Sequence, residues 1–209
     1  KFYFPDLDVP RFVSYVSMYT YATPVGEDFI GIGLDYFLGA DHFDYITIPN
    51  LRHEYLRRTL NREHLPVYVA QAIADDMVGQ PMGNRMVDQM LREGKKYYLM
   101  SSLLPHKPDS LIMGWSAIQT EYCQKSQKDL YKMLLEEDLF YSTNFALFRK
   151  FLTIGPFSIE VASENPGNAG SYLGWKMVQQ YMDKSPAVSM TDLLSISDPQ
   201  VILKKYKAK

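Results

Sequence analysis

The chain has 209 residues, 46% hydrophobic and 22% charged, with a formal charge of −2. Its length allows one well-buried core, and its near-neutral charge excludes nucleic acid as the main partner, because phosphate recognition needs clustered Lys and Arg. No run approaches the roughly 18 apolar residues of a membrane-spanning helix, and Cys123 as the single cysteine excludes an internal disulfide.

From the N-terminus, "FVSYVSMYTYAT" (12–23) is rich in β-branched and aromatic residues and predicts a strand. "FIGIGLDYFLG" (29–39) predicts its antiparallel neighbour, joined through the turn residues "PVGED". Along this second strand Ile30, Ile32, Leu34 and Tyr36 share one face. The opposite face receives Gly31, Gly33 and Asp35, with almost no side chain to pack, so a second backbone, a ligand or a helix is expected against it. Helical periodicity then takes over. Asn50 is placed to cap "LRHEYLRRTLN", and Pro66 suits the first turn of a helix over 66–79. A long amphipathic helix is predicted over 84–104, with Gly94 at its middle. Ser116 and Gln119 have the spacing of a capping box for a helix reaching about Glu137. "YSTNFALFRKFL" gives another helix, the segment from Gly170 another, and Asp198-Pro199 starts the last. With no repeat or linker, residues 1–209 read as a single α+β domain, mostly helical, with a small N-terminal β-sheet.

Chemistry-bearing motifs fail on spacing. Gly167, Gly170 and Gly174 sit before and within a helix but match neither G-x-x-x-x-G-K-[ST] nor G-x-G-x-x-G. Gly170 and Gly174, four apart, instead share a helix face that lets another helix approach, and Gly167 lets the chain reverse. The histidines His42, His53, His64 and His106 never pair at i, i+4, and "HEYLR" places Arg57 where a zinc site needs its second histidine. Cys123 is expected to be buried and inert. We assign no catalytic residue, no metal ligand and no cofactor.

Taken in order, "YFPDLDVPRFVSYVS", "IGIGLDYFLG", "LPHKPDSLIMGWSAIQTEYCQKSQ", "EEDLFYST" and "ENPGNAGSYLGWKMVQQYM" resemble the gliding-motility lipoprotein GldB family of Bacteroidetes over the whole chain. That resemblance implies an exported protein of the cell envelope, periplasmic or outer-membrane, tethered by a lipidated cysteine upstream of Lys1 and touching membrane only through that anchor. The family is in turn distantly similar to zincin metallopeptidases, in which a glycine-containing strand lines a cleft beside the H-E-x-x-H helix. Here the helix in that position is "VYVAQAIADDMVG", where Gln71 and Asp75 take the spacing of the two histidines. Glutamine is a poor zinc ligand, so the resemblance implies a pseudoenzyme: a remnant cleft of Gly31, Gly33, Asp35, Gln71, Asp75, Glu164 and Asn168 that binds an envelope protein, or a peptide laid along 29–39. Two alternatives stand beside it: a hydrolase whose hard cation is gathered by Asp75, Asp76 and Glu164, and a purely structural scaffold without a cleft.

Overall fold

The computed structural model of the protein describes residues 2–81, 83–155 and 166–208. Among them are two short strands and eleven helices in one mostly helical domain.

The helical body is built on two long helices, α4 (Met86–Leu103) and α9 (Ala169–Asp183), which make the most extensive contact in the molecule. Each carries apolar residues at helical spacing toward the other: Met86, Met90 and Leu99 on α4, and Leu173, Met177 and Val178 on α9, are all fully buried. The approach is closer than side chains would allow. A Cβ at Gly174 would lie 2.8 Å from the Met90 carbonyl carbon, and one at Gly94 would lie 2.9 Å from the Trp175 nitrogen. Helix separation follows the residues at the crossing, so the expected glycine face is real and has its counterpart in Gly94. Gly170 likewise faces the backbone of α8 (Phe145–Leu152), where an added Cβ would be 2.9 Å from the Phe151 oxygen. Gly167 has a φ of +93°, the reversal expected before α9.

Around this pair lie α3 (Leu65–Val78), α5 (Asp109–Met113), α6 (Ala117–Lys125), α7 (Gln127–Glu136), α10 (Met190–Ser195) and α11 (Pro199–Leu203). Ser116 and Gln119 form the expected capping box. The single helix expected from there to Glu137 is two, because the chain changes direction at Ser126. Asp198 caps α11 as its sequence predicts, accepting from the Gln200 amide at 2.9 Å. The helix expected over 51–61 is a correction: only α2 (Glu54–Arg57) forms, with His53 rather than Asn50 at its N-cap position and no side-chain cap there. Leu51 and Leu60 turn inward instead, toward Tyr45 of α1 (Phe43–Thr47), and make a second small core with Tyr19, Tyr36 and Tyr68.

The N-terminal sheet also differs from its prediction. β1 (Arg11–Tyr15) and β2 (Phe29–Gly33) pair in parallel, Arg11 opposite Phe29 and Tyr15 opposite Gly33. The run 12–23 is not one strand. It breaks at Met18 and Tyr19, both left-handed at φ 54° and 58°, and the chain crosses over to return along the other side of β2. There the expected antiparallel pairing does occur, with Gly31 N–H donating to the Pro24 carbonyl and Gly33 N–H to that of Ala22, each at 2.8 Å. Gly26 N–H closes the turn onto Phe29 O at 2.9 Å. The second strand also ends early, since Leu34–Tyr36 wind into a 3-10 turn that carries Asp35 inward.

Candidate functional site

The glycine face of β2 is covered by the protein's own chain. A Cβ at Gly31 would meet Pro24 Cγ at 2.9 Å, and one at Gly33 would meet the Tyr21 carbonyl oxygen at 2.6 Å. The close partner is therefore the returning segment 21–25, neither a helix nor a ligand. Asp35 fixes that return. Its carboxylate accepts from the amides of Ser17 (2.8 Å) and Tyr19 (2.7 Å) and from the Ser17 hydroxyl (3.0 Å). Burial on its own would raise the Asp35 pKa, but these donors outweigh it and hold the carboxyl below its usual range. Tyr45 O–H adds a bond to the Asp35 backbone oxygen at 2.6 Å. Gly31, Gly33 and Asp35 thus support a surface rather than line it.

Both sides of β2 are occupied, so no peptide can be laid directly along 29–33; the expectation of strand addition there is overturned. The antiparallel bonds from Gly31 and Gly33 turn Ala22 and Pro24 toward β2 and leave the backbone of Thr23 and Val25 on the outer edge. This edge runs beside α3. Between them lies an open groove of about 430 Å³, bordered by Tyr21, Val25, Tyr68, Gln71, Asp75 and Asp76. Pro66 opens α3, and the small residues Ala70, Ala72 and Ala74 are buried, which turns Gln71, Asp75 and Asp76 outward.

The carboxylate of Asp75 is engaged from the body side. Lys96 Nζ lies 2.6 Å from its Oδ1 and Arg92 Nη2 lies 3.8 Å away, while the same two cations also hold Glu93. Among the described residues no three His, Cys, Asp or Glu side chains gather as a metal-binding group.

Asn168 belongs elsewhere. It is 1% exposed, accepts from the Trp115 indole N–H at 2.9 Å and donates to Tyr97 O–H at 3.4 Å. Trp115 and Tyr97 in turn bound a small pocket of about 90 Å³ that Gln71 and His64 also line. Gln71 therefore stands between the groove and the buried anchor of Asn168. Burial lowers the His64 pKa, and its Nδ1 meets Asn61 Oδ1 at 3.0 Å. Glu164 lies outside the described residues. Cys123 is buried, and burial pushes its thiol up to about 12, which makes it unreactive at neutral pH.

Of the seven residues singled out from sequence, Gln71 and Asp75 border the groove on α3, Gly31, Gly33 and Asp35 back its opposite wall, the segment 21–25, Asn168 is locked in the body, and Glu164 lies outside the described residues. Sequence reading missed Tyr21 to Val25 as the groove's wall opposite α3.

These features define a mostly helical protein whose small N-terminal sheet presents a grooved edge. A family model described as gliding motility protein GldB matches residues 1–209. The chain belongs to the GldB family, and is a gliding-motility-associated lipoprotein of that type. No curated protein and no solved structure matches it. No helix among the described residues is long and apolar enough to cross a membrane.

Proposed function

We propose that this chain is a non-catalytic, lipid-anchored envelope protein that holds an extended segment of another protein in the groove between residues 21–25 and α3. The groove corresponds to a degenerate zincin-like cleft, with an edge strand on one wall and, on the other, a helix carrying Gln71 and Asp75 at the spacing of the two zinc-binding histidines. The observation that carries the reading is the outward backbone of Thr23 and Val25 above an open groove, a geometry suited to main-chain hydrogen bonding by an extended peptide. The ion pairing of Asp75 with Lys96 supports a binding role over a catalytic one, because it commits the carboxylate that would serve as ligand or base.

The test uses a fluorescent octapeptide of alternating Thr and Val, titrated against the purified chain. Gln71 is exposed, so Gln71→Trp fills the groove without touching the core. Binding weakened at least tenfold by that change, with the peptide recovered intact, is the expected result. Equal binding by the variant overturns the groove. Cleavage of the peptide, or stoichiometric zinc or calcium in protein purified without chelators, overturns the non-catalytic role.

A further inference from the structure

Among the described residues the sheet has a second free edge, and its strand is exposed along almost its whole length. Arg11 N–H donates to the Asp28 carbonyl at 2.9 Å, which turns residues 11, 13 and 15 toward β2 and Phe12 and Ser14 outward. The amides of Phe12 and Ser14 find no partner among the described residues. Neither face of β1 is covered: Phe12 and Val13, on opposite faces, are 52% and 47% exposed. Beyond the strand Val16 is 69% and Met18 79% exposed. Of 21 large hydrophobic residues exposed among those described, 14 fall within the first 46 positions.

Soluble proteins normally blunt such an edge with lysine, proline or a bulge. Here Pro10 stops pairing only at one end, and Arg11 is drawn sideways into an ion pair with Asp28 at 2.6 Å. The turn after β1 also holds an unfavourable conformation to display Met18. Two successive non-glycine residues in the left-handed region cost about 1–2 kcal/mol each, and the buried Asp35 carboxylate fixes them there.

Charge selects the occupant. Residues 1–46 contain seven Asp and Glu against Lys1 and Arg11, a net of −5, while the rest of the chain carries +3. A second copy would oppose −5 with −5, and an anionic lipid surface would be repelled in the same way. We propose that the β1 edge is a docking site for an extended strand of another protein, one that alternates apolar residues with Lys or Arg. Its backbone would pair with Phe12 and Ser14, its apolar residues would cover one face of β1 together with Val16 or Met18, and its cations would meet the acidic flank at Asp6, Asp8 and Glu27. This surface lies across the sheet from the groove and does not depend on it.

The experiment measures fluorescence anisotropy of labelled (Lys-Val)4 against the full chain. (Glu-Val)4 and a (Lys-Val)4 peptide N-methylated along one edge serve as controls. Both controls should bind at least tenfold more weakly. Ser14→Pro removes an outward amide that the fold does not use, so it should weaken binding at least tenfold. If Ser14→Pro does not fold, the double change Val16→Asp and Met18→Asp gives the same reading from side chains already in solvent. Gln71→Trp should leave (Lys-Val)4 binding unchanged, which separates this site from the groove. Equal binding of (Glu-Val)4, insensitivity to the β1 variants or loss with Gln71→Trp overturns the proposal. So does a concentration-dependent dimer broken by Ser14→Pro, which would assign the edge to a second copy. Flotation with phosphatidylglycerol vesicles that the Val16 and Met18 changes abolish would assign it to lipid and overturn it as well.

Discussion

The helical body and the N-terminal layer are held by opposite means. In the body, α4 and α9 meet backbone to backbone through Gly94 and Gly174, and the apolar residues around them are buried in one large core. In the layer, the apolar core is three buried residues, Tyr45, Leu51 and Leu60, ringed by tyrosines, and the geometry depends on the single carboxylate of Asp35. The body buries its hydrophobic surface; the layer leaves much of its own in water. The difference supports the proposal that the body is a scaffold and the layer the binding surface, since low local burial is where binding elements are drawn from.

The change with the largest expected effect breaks the body. Gly174→Ala places a methyl group against the Met90 carbonyl, which is backbone and cannot rotate away. Forcing the helices apart should cost about 3 kcal/mol or more, or roughly a 10 °C fall in Tm for a chain of this size. Gly94→Ala should do the same from the other helix. Thermal unfolding by circular dichroism measures both. A drop below about 2 °C in either would mean that the crossing is looser than its geometry.

A smaller and more local effect is expected from Asp35→Ala. Three donors, the Ser17 and Tyr19 amides and the Ser17 hydroxyl, lose their acceptor, at a cost of about 2–3 kcal/mol. Because the left-handed pair Met18–Tyr19 rests on that carboxylate, the loss should appear as faster hydrogen exchange across residues 11–25, with α4 and α9 unchanged. The same residue sets an acid limit on the layer. Its folded pKa is depressed, so its contribution is complete above the ordinary carboxylate pKa of about 4 and is lost as pH falls through the lower folded value. Protection at 11–25, taken relative to the intrinsic exchange rate at each pH, should therefore fall below about pH 4 in the wild type and stay level there in the variant. Equal acceleration in α4 and α9 would show that the two regions are one cooperative unit.

How far the sequence disclosed this arrangement differs between the same two regions. In the body, periodicity and glycine spacing were sufficient: the positions of α3, α4, α8 and α9 follow from apolar spacing, and Gly170 and Gly174 announce a close crossing. Ser116 with Gln119 is legible because a capping box is local; Ser116→Ala should cost about 1 kcal/mol in a urea titration. The short helices α1, α5 and α10 were not foreseen, since five or six residues give no reliable period. In the layer the residues were identified but not their arrangement. Strand formers run unbroken from Phe12 to Ala22, and what divides them is a carboxylate 16 to 18 positions away, a long-range bond that no local pattern encodes. For the same reason Gly31 and Gly33 were rightly marked as a place of close approach, while the approaching chain, 21–25, was missed. Asn168 stands beside a conspicuous glycine turn, yet its burial depends on Trp115 and Tyr97, distant in sequence.

The smallest effect at neutral pH sharpens the comparison from inside the body. Lys95 on α4 is 8% exposed, and its Nζ donates to the backbone oxygens of Leu194 and Ile196 at the C-terminal end of α10, with no carboxylate pairing with it among the described residues. Burial lowers its pKa to about 8, below that of an unfolded lysine. Between the two values the unfolded chain binds the extra proton, so stability rises with pH, by at most about 1.4 kcal/mol per pH unit for one group. Replacing the side chain by methionine removes a buried charge but leaves two carbonyls bare, and these opposing terms should cancel to within about 1 kcal/mol at pH 7. The discriminating signal is the slope: urea midpoints should climb from pH 8 to 9.5 in the wild type and stay level in Lys95→Met. The climb should be visible in probes of α4 and α9 and absent from hydrogen exchange at 11–25. If the layer shared it, the working surface would be coupled to the scaffold through α3, and the two could no longer be treated as separately stabilised.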